Sequence, residues 1–148
     1  MKVYKISAVT LIIKDMERSC NFYTKIPGFK VVYGGTGDDT FTTYKIGQYN
    51  AKMYLNLELS TSHGNNNNHD EHNTTRTRHF GRIIFFTEDV DKLYQYFKNN
   101  ESFSNTIYLE NEPTDGSWGE RYFHIREPDG YQLSFAKPLN KKIKKRKK

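Results

Sequence analysis

The residues best suited to chemistry lie in one stretch late in the chain, 120–136. Within it, two runs of aromatic, β-branched and apolar residues flank Glu127-Pro128-Asp129-Gly130, which predicts two antiparallel strands joined by a tight turn. Because side chains alternate along a strand, Tyr122, His124 and Arg126 share one face, which we predict to meet a ligand. The hydroxyl, imidazole and guanidinium groups of these residues form hydrogen bonds with polar ligands. The phenol and imidazole rings and the guanidinium plane can also stack on a ring of a ligand. The opposite face carries most of the apolar side chains and consists of Phe123, Ile125 and Glu127.

The hairpin must be positioned by other strands and helices. Alternating strand and helix patterns in the rest of the sequence predict these elements. Asp15 is a predicted helix N-cap, and Pro27-Gly28 ends that helix. A second helix begins at Asp89 or Asp91 and ends near Asn99-Asn100. The predicted strands before the hairpin are Tyr4–Lys14, Phe29–Tyr33, Thr40–Ile46, Ala51–Leu59, Gly81–Glu88 and Ser104–Glu110.

The two halves of the chain repeat each other. Residues 10–23 align with residues 84–97 without a gap at a constant offset of 74, so that Asp15 aligns with Asp89. Each half consists of a strand, a helix and three strands, and one such unit leaves a sheet face uncovered. We therefore predict an α+β fold in which two βαβββ modules in tandem form a curved mixed sheet around a groove, a natural ligand site. One domain spans 1–138, with module one at 1–59, a linker at 60–79 and module two at 80–138, followed by a basic tail at 139–148.

The composition also favours a sheet protein. Hydrophobic residues make up 35% of the chain and aromatic residues 15%, and aromatic side chains suit half-buried strands. The single cysteine, Cys20, excludes an intramolecular disulfide and is interpreted as a packing residue within a helix. No run approaches the length of a membrane span and the first residues lack an apolar leader, so we predict a soluble, cytoplasmic protein.

The net charge of +6 belongs to the tail. Residues 141–148 hold seven of the 23 basic residues, and the remainder of the chain has 16 basic against 17 acidic residues. Such a run is typically disordered and solvated. Because no basic face studded with aromatic residues accompanies it, nucleic-acid binding is disfavoured.

A polar segment between the modules offers a metal-site alternative. The segment 60–79 contains four consecutive asparagines and four of the five histidines. Its spacing matches no closed metal site, so a solvated, mobile linker is the favoured interpretation. The potential ligands are His63, His69, Asp70, Glu71, His72 and His79.

Several motifs resemble one known superfamily. Asp15-Met16-Glu17-Arg18-Ser19, followed by Phe22-Tyr23 and Pro27-Gly28-Phe29, resembles the opening of a vicinal oxygen chelate protein. Trp118-Gly119 and Glu127-Pro128-Asp129-Gly130-Tyr131 resemble its closing hairpin. The superfamily includes glyoxalases, bleomycin- and fosfomycin-resistance proteins and extradiol dioxygenases. The resemblance covers residues 3–138 without the linker, and it implies the fold predicted above and a homodimer.

The resemblance also implies where a metal would bind. Metal enzymes of the superfamily take His or Glu ligands from four strand positions that face the groove. In this chain we place those positions at Ala8, Asn56, Arg82 and Ser134, none of which is a good ligand for a divalent cation. A slip of one residue would bring in only Glu58. We therefore predict no metal and no other cofactor.

The predicted ligand site combines the polar residues that would face the groove. Arg82 suits a carboxylate or phosphate, although it could instead pair with Glu58. Trp118 at the groove mouth could stack on a ring or simply plug the groove. No catalytic residue is assigned. The predicted ligand-binding residues are Thr10, Asn56, Arg82, Trp118, Tyr122, His124 and Ser134.

Two functions remain open on the sequence. The favoured hypothesis is a metal-free protein that binds a small organic molecule, as drug-sequestering members of the superfamily do. Those proteins attract cations with an acidic groove, whereas Arg82 favours an anionic or aromatic ligand. The alternative is an enzyme, either a metal-dependent lyase, isomerase or dioxygenase, or a metal-free enzyme with His124 as the general base. The ligand's identity, and whether the modules pair within or between chains, stay open.

Overall fold

The computed structural model describes residues 1–3, 5–61 and 80–140. The chain divides into two compact units, Met1–Asp70 and Glu71–Lys148, each with one mixed sheet and one longer helix. This arrangement confirms the predicted α+β class. The four histidines of the linker and the tail at 141–148 lie outside the described residues. No helix within the described ranges is long and apolar enough to cross a membrane.

The first unit has a four-stranded sheet in the order β1-β4-β3-β2. The first and last strands, β1 and β4, are parallel, and the other pairs are antiparallel. A short 3-10 turn at Tyr49–Ala51 precedes β4, so the predicted strand Ala51–Leu59 begins two residues later, at Met53. The elements are β1 (Ala8–Ile13), α1 (Met16–Tyr23), β2 (Lys30–Tyr33), β3 (Phe41–Ile46) and β4 (Met53–Leu59).

The core of the first unit lies between α1 and one face of its sheet. Leu11 and Ile13 are at most 1% exposed, whereas Thr10 and Ile12 on the opposite face are exposed, as side-chain alternation along a strand requires. Cys20 is buried in the helix, as predicted. Each fully buried apolar side chain contributes roughly 1.5–3 kcal/mol. The sheet therefore has one face held by the core and one open face.

The predicted repeat is visible at the start of the two helices. The Asp15 carboxylate accepts a hydrogen bond from the Arg18 backbone N–H at 3.0 Å. The Asp89 carboxylate accepts one from Lys92 at 3.0 Å. Both cap residues are extended, with φ near −141° and −144°. These caps satisfy backbone donors that a helix leaves free at its first turn.

The second unit repeats the topology of the first. Its sheet has the order β5-β9-β8-β6, with β5 parallel to β9 and the short β7 paired to β8. Val90, Leu93, Tyr94 and Phe97 of its helix are buried. The elements are β5 (Arg82–Phe86), α2 (Val90–Asn99), β6 (Tyr108–Leu109), β7 (Thr114–Asp115), β8 (Glu120–Arg126) and β9 (Gln132–Pro138).

One predicted strand, Ser104–Glu110, is mostly wrong. Only Tyr108–Leu109 is extended in the sheet, and a 3-10 turn at Glu101–Phe103 precedes it. The Ser104 hydroxyl donates to the Glu101 carbonyl at 2.8 Å, and the Thr106 hydroxyl donates to the Phe103 carbonyl at 3.2 Å. Such bonds from side chain to backbone compete with a strand ladder and favour turns.

The closing hairpin forms as predicted. β8 and β9 pair antiparallel, with Phe123 and Ile125 fully buried on the core side. The Glu127 carboxylate is 2% exposed and accepts hydrogen bonds from the backbone N–H groups of Asp129 and Tyr131, at 2.6 and 3.1 Å. The turn residue Gly130 has φ +90°, which disfavours a side chain. The turn is therefore held from inside by a buried carboxylate.

Candidate functional site

A row of three flat side chains lies on the open face of the second unit. The ring centroids of Trp118 and Tyr122 are 4.9 Å apart, and those of Tyr122 and His124 are 4.8 Å apart. At the end of the row, Nη1 of Arg82 lies 3.2 Å from Nε2 of His124. The Trp118 side chain remains exposed. The row combines apolar ring surface with one fixed positive charge.

Strand register brings these residues together. His124 of β8 lies opposite Ser134 of β9, and Ser134 lies opposite Ile84 of β5. Arg82 stands two residues before Ile84 and therefore points to the same face. All five residues predicted for module two line one pocket of about 360 Å³. Its lining residues are Arg82, Ile84, Trp118, Glu120, Tyr122, His124, Ser134 and Ala136.

His124 is electrostatically set to be neutral at pH 7. A guanidinium only donates, so Nε2 of the ring accepts from Arg82 and the proton of the neutral ring lies on Nδ1. Burial lowers the pKa of His124, the positive charges of Arg82 and Arg126 lower it further, and Glu110 opposes them. Nδ1 is buried and has no hydrogen-bond partner among the described residues.

Two residues beside His124 escaped the sequence analysis. The Glu110 carboxylate pairs with Arg126 Nε at 2.8 Å and accepts from the Gln132 amide at 3.1 Å. The Asn111 side chain accepts from the His124 backbone N–H at 2.8 Å. Both follow β6, and the pairing of β6 with β8 places them there. The pairing register of β6 with β8 would have placed both residues beside His124. The predicted strand Ser104–Glu110 was too long to give that register.

The two residues predicted for module one also lie together. Thr10 and Asn56 are opposite each other in β1 and β4, and the Asn56 amide donates to the Thr10 hydroxyl at 3.2 Å. The Thr43 hydroxyl donates to the Asn56 carbonyl oxygen at 2.9 Å. The three side chains form a hydrogen-bonded row on the open face of their sheet. A common groove that joins them with the module-two residues stays a prediction.

The four positions assigned to metal ligands have the wrong donor chemistry for a divalent cation. Ala8 has no donor, and the positively charged Arg82 repels a cation. The Asn56 amide is already bonded to two hydroxyls, and Ser134 offers a buried neutral hydroxyl. Within residues 1–3, 5–61 and 80–140, no three His, Cys, Asp or Glu residues form a group that could hold a metal. The residues assigned here therefore do not fit the metal of the superfamily.

Comparisons with known proteins agree on one family. The model of the Glyoxalase/Bleomycin resistance protein/Dioxygenase superfamily matches residues 5–135. A lactoylglutathione lyase of Pseudomonas putida is 26% identical over 147 residues, which cover 86% of this chain and 82% of that protein. A glyoxalase/bleomycin resistance protein/dioxygenase from Nocardioides has a TM-score of 0.64 at 16% identity, covering 95% of this chain and 87% of that one. A bleomycin resistance determinant encoded on the transposon Tn5 has a TM-score of 0.60 at 16% identity, covering 91% and 98%.

Proposed function

Because the chain belongs to the glyoxalase/bleomycin resistance protein/dioxygenase superfamily, we propose that it binds a small anionic or aromatic molecule without a metal. The observation that carries this proposal is the row of rings that ends on Arg82. A ring of the ligand stacks beside Trp118 and Tyr122, and an anionic group reaches the guanidinium. The pocket of about 360 Å³ lies in the size range of sites for small organic molecules.

The absence of a metal from this proposal rests on donor chemistry. The positions where the superfamily resemblance implies ligands supply no charged oxygen and no imidazole. The residues at these positions are Ala8, Asn56, Arg82 and Ser134. Elemental analysis of protein purified without a His tag tests this part. Stoichiometric zinc, nickel, manganese or iron would overturn it.

The single tryptophan of the chain makes the ligand proposal measurable. Trp118 emission is titrated with benzoate, phenylphosphate and benzylamine, which share a ring and differ in charge. We expect the two anions to change the emission with saturation and benzylamine to change it weakly. Arg82→Gln should weaken anion binding about ten-fold, because a charge-assisted hydrogen bond is lost.

A matched control separates the site from general charge effects. Arg121→Gln removes the same charge from the same sheet, but Arg121 binds Asp91 and Asp115 rather than the ring row. This variant should bind the anions as the wild type does. Equal affinity for benzylamine and benzoate, or equal loss in both arginine variants, would contradict the proposal.

A second candidate function is acid-base catalysis by His124. The specific observation is that the lowered pKa keeps the ring neutral at pH 7, so Nε2 has a lone pair that can accept a proton once a ligand takes its place beside Arg82. Arg82 beside it would stabilise a developing anion. His124→Ala separates the candidates: lost turnover with retained binding favours an enzyme, whereas unchanged binding without any turnover in the wild type favours the binding protein.

We also propose that the chain forms a homodimer. Large apolar side chains remain exposed on both sheets, among them Ile12, Ile84 and Phe86. Contiguous exposed apolar surface is typical of protein interfaces. Light scattering coupled to size exclusion tests the proposal, and a monomeric mass across the concentration range would overturn it.

A further inference from the structure

The first unit has a concave pocket of its own, with a volume of about 400 Å³. It lies where β2 and β3 pair and where the chain turns from β3 towards β4. Three of its lining residues are lysines and none is acidic. The lining residues are Gly28, Lys30, Lys45, Gly47, Gln48, Tyr49 and Lys52.

The positions of the three lysines are electrostatically unfavourable. Lys30 and Lys45 lie directly opposite each other in the antiparallel pairing of β2 and β3. Like charges at such positions repel and destabilise a sheet. Lys52 adds a third charge to the same pocket. Within the described part of the chain, no hydrogen bond or ion pair neutralises the ammonium group of Lys30, Lys45 or Lys52. An anion between them would turn the repulsion into attraction.

Tyr49 at this pocket has an unusual backbone. It has φ +51°, and no other residue except glycine has a positive φ among the described residues. A bulky residue in this region is strained, and such strain concentrates at functional sites. The residue is 89% exposed, so its ring lies at the pocket with almost no packing partner. A base or other ring of a ligand would stack on it.

We propose that this pocket binds the phosphate group of a small organic phosphate, with the ligand's ring against Tyr49. A phosphate monoester carries a charge of about −1.5 to −2 and three acceptor oxygens, which suits three ammonium groups better than a single carboxylate does. Lysine acts as a point charge towards phosphate and needs no fixed fork. The proposal uses residues of the first unit alone and does not depend on Arg82 or His124.

Calorimetry at low ionic strength with adenosine monophosphate, inorganic phosphate and adenosine tests the proposal on the full-length chain. We expect the nucleotide to bind more tightly than phosphate and adenosine to bind weakly. Lys45→Gln should lower the affinity for the nucleotide about ten-fold, as expected for one charge-assisted contact. Tyr49→Gly, which suits the positive φ, should reduce the affinity for the nucleotide to that for phosphate. Without ligand, Lys45→Gln should melt above the wild type, and added phosphate should reverse the order.

The control is Lys92→Gln, an exposed lysine outside the pocket. The basic tail is present in every variant, so its contribution cancels from the comparison. Equal loss of nucleotide affinity in the Lys45 and Lys92 variants would overturn the proposal, because the binding would then be a general charge effect. Binding of a single-stranded oligonucleotide without binding of the mononucleotide would also overturn it. Arg82→Gln should leave nucleotide binding unchanged, which keeps this test separate from that of the proposed function.

Discussion

Replacing Glu127 with alanine tests whether one buried carboxylate holds the turn of the closing hairpin. Its oxygen accepts from two backbone N–H groups, those of Asp129 and Tyr131, at 2.6 and 3.1 Å. Both of those residues are less than 9% exposed. Removal of the carboxylate therefore leaves two amide donors with restricted access to water.

The magnitude follows from these two bonds. An unsatisfied buried donor costs about 1–3 kcal/mol. Because a turn relaxes towards solvent more readily than a core does, we expect a loss of about 3 kcal/mol in the free energy of unfolding. For a chain of this size, that corresponds to a decrease of about 6–12 °C in the melting temperature. Glu127→Gln keeps an oxygen acceptor and loses the charge, so its expected cost is about 1 kcal/mol.

Trp118 provides the assay, because it lies in the same unit as the hairpin and is the only tryptophan. Urea unfolding followed by its emission gives the free energy of unfolding of each variant. The control is Glu112→Ala, which removes an exposed glutamate from the same unit. If the Glu127 and Glu112 variants unfold at the same urea concentration, the carboxylate does not hold the turn and the reasoning is refuted.

Two further predictions concern single residues of the second unit. The pKa of folded His124 lies below its ordinary value near 6.5. Below pH 6.5 the unfolded chain therefore binds more protons at this residue than the folded chain does. The stability contributed by the neutral ring is lost as pH falls through the lowered pKa. His124→Gln should therefore flatten the decrease in melting temperature between pH 7 and the lowered pKa, and an unchanged slope would contradict this. Asp89→Ala removes the acceptor for the Lys92 N–H and should cost about 1 kcal/mol. Asp89→Asn, which keeps an acceptor oxygen, should cost less in the same urea assay.

The repeat made the main features of the fold predictable. The alignment of Asp15 with Asp89 rests on a local physical requirement, since each helix needs an acceptor for the donors of its first turn. The Pro-Asp-Gly turn and the strict alternation in β8 are equally local. These signals also placed Tyr122, His124 and Ser134 on one face of one sheet.

Most features that escaped prediction depend on pairing between distant strands, and one depends on local hydrogen bonds of side chains to the backbone. The hydroxyls of Ser104 and Thr106 turn the chain where apolar content suggested a strand. The Glu110–Arg126 pair beside His124 follows from the register of β6 with β8, which no local pattern encodes. The opposition of Lys30 and Lys45 likewise appears only when β2 is aligned with β3. Register of this kind is fixed by the whole packed face and not by a short window of sequence.

The parallel pairing of first and last strands has a consequence for the order of events during synthesis. β1 can pair only when β4 is present, and β5 only when β9 is present. Neither sheet is therefore complete until its final strand has left the ribosome. The first unit reaches that point when Leu59 has emerged, before the first strand of the second unit leaves the ribosome. Folding of the two units is therefore staggered in time. The backbone groups of β5 that pair with β9 stay without that partner until Pro138 has emerged.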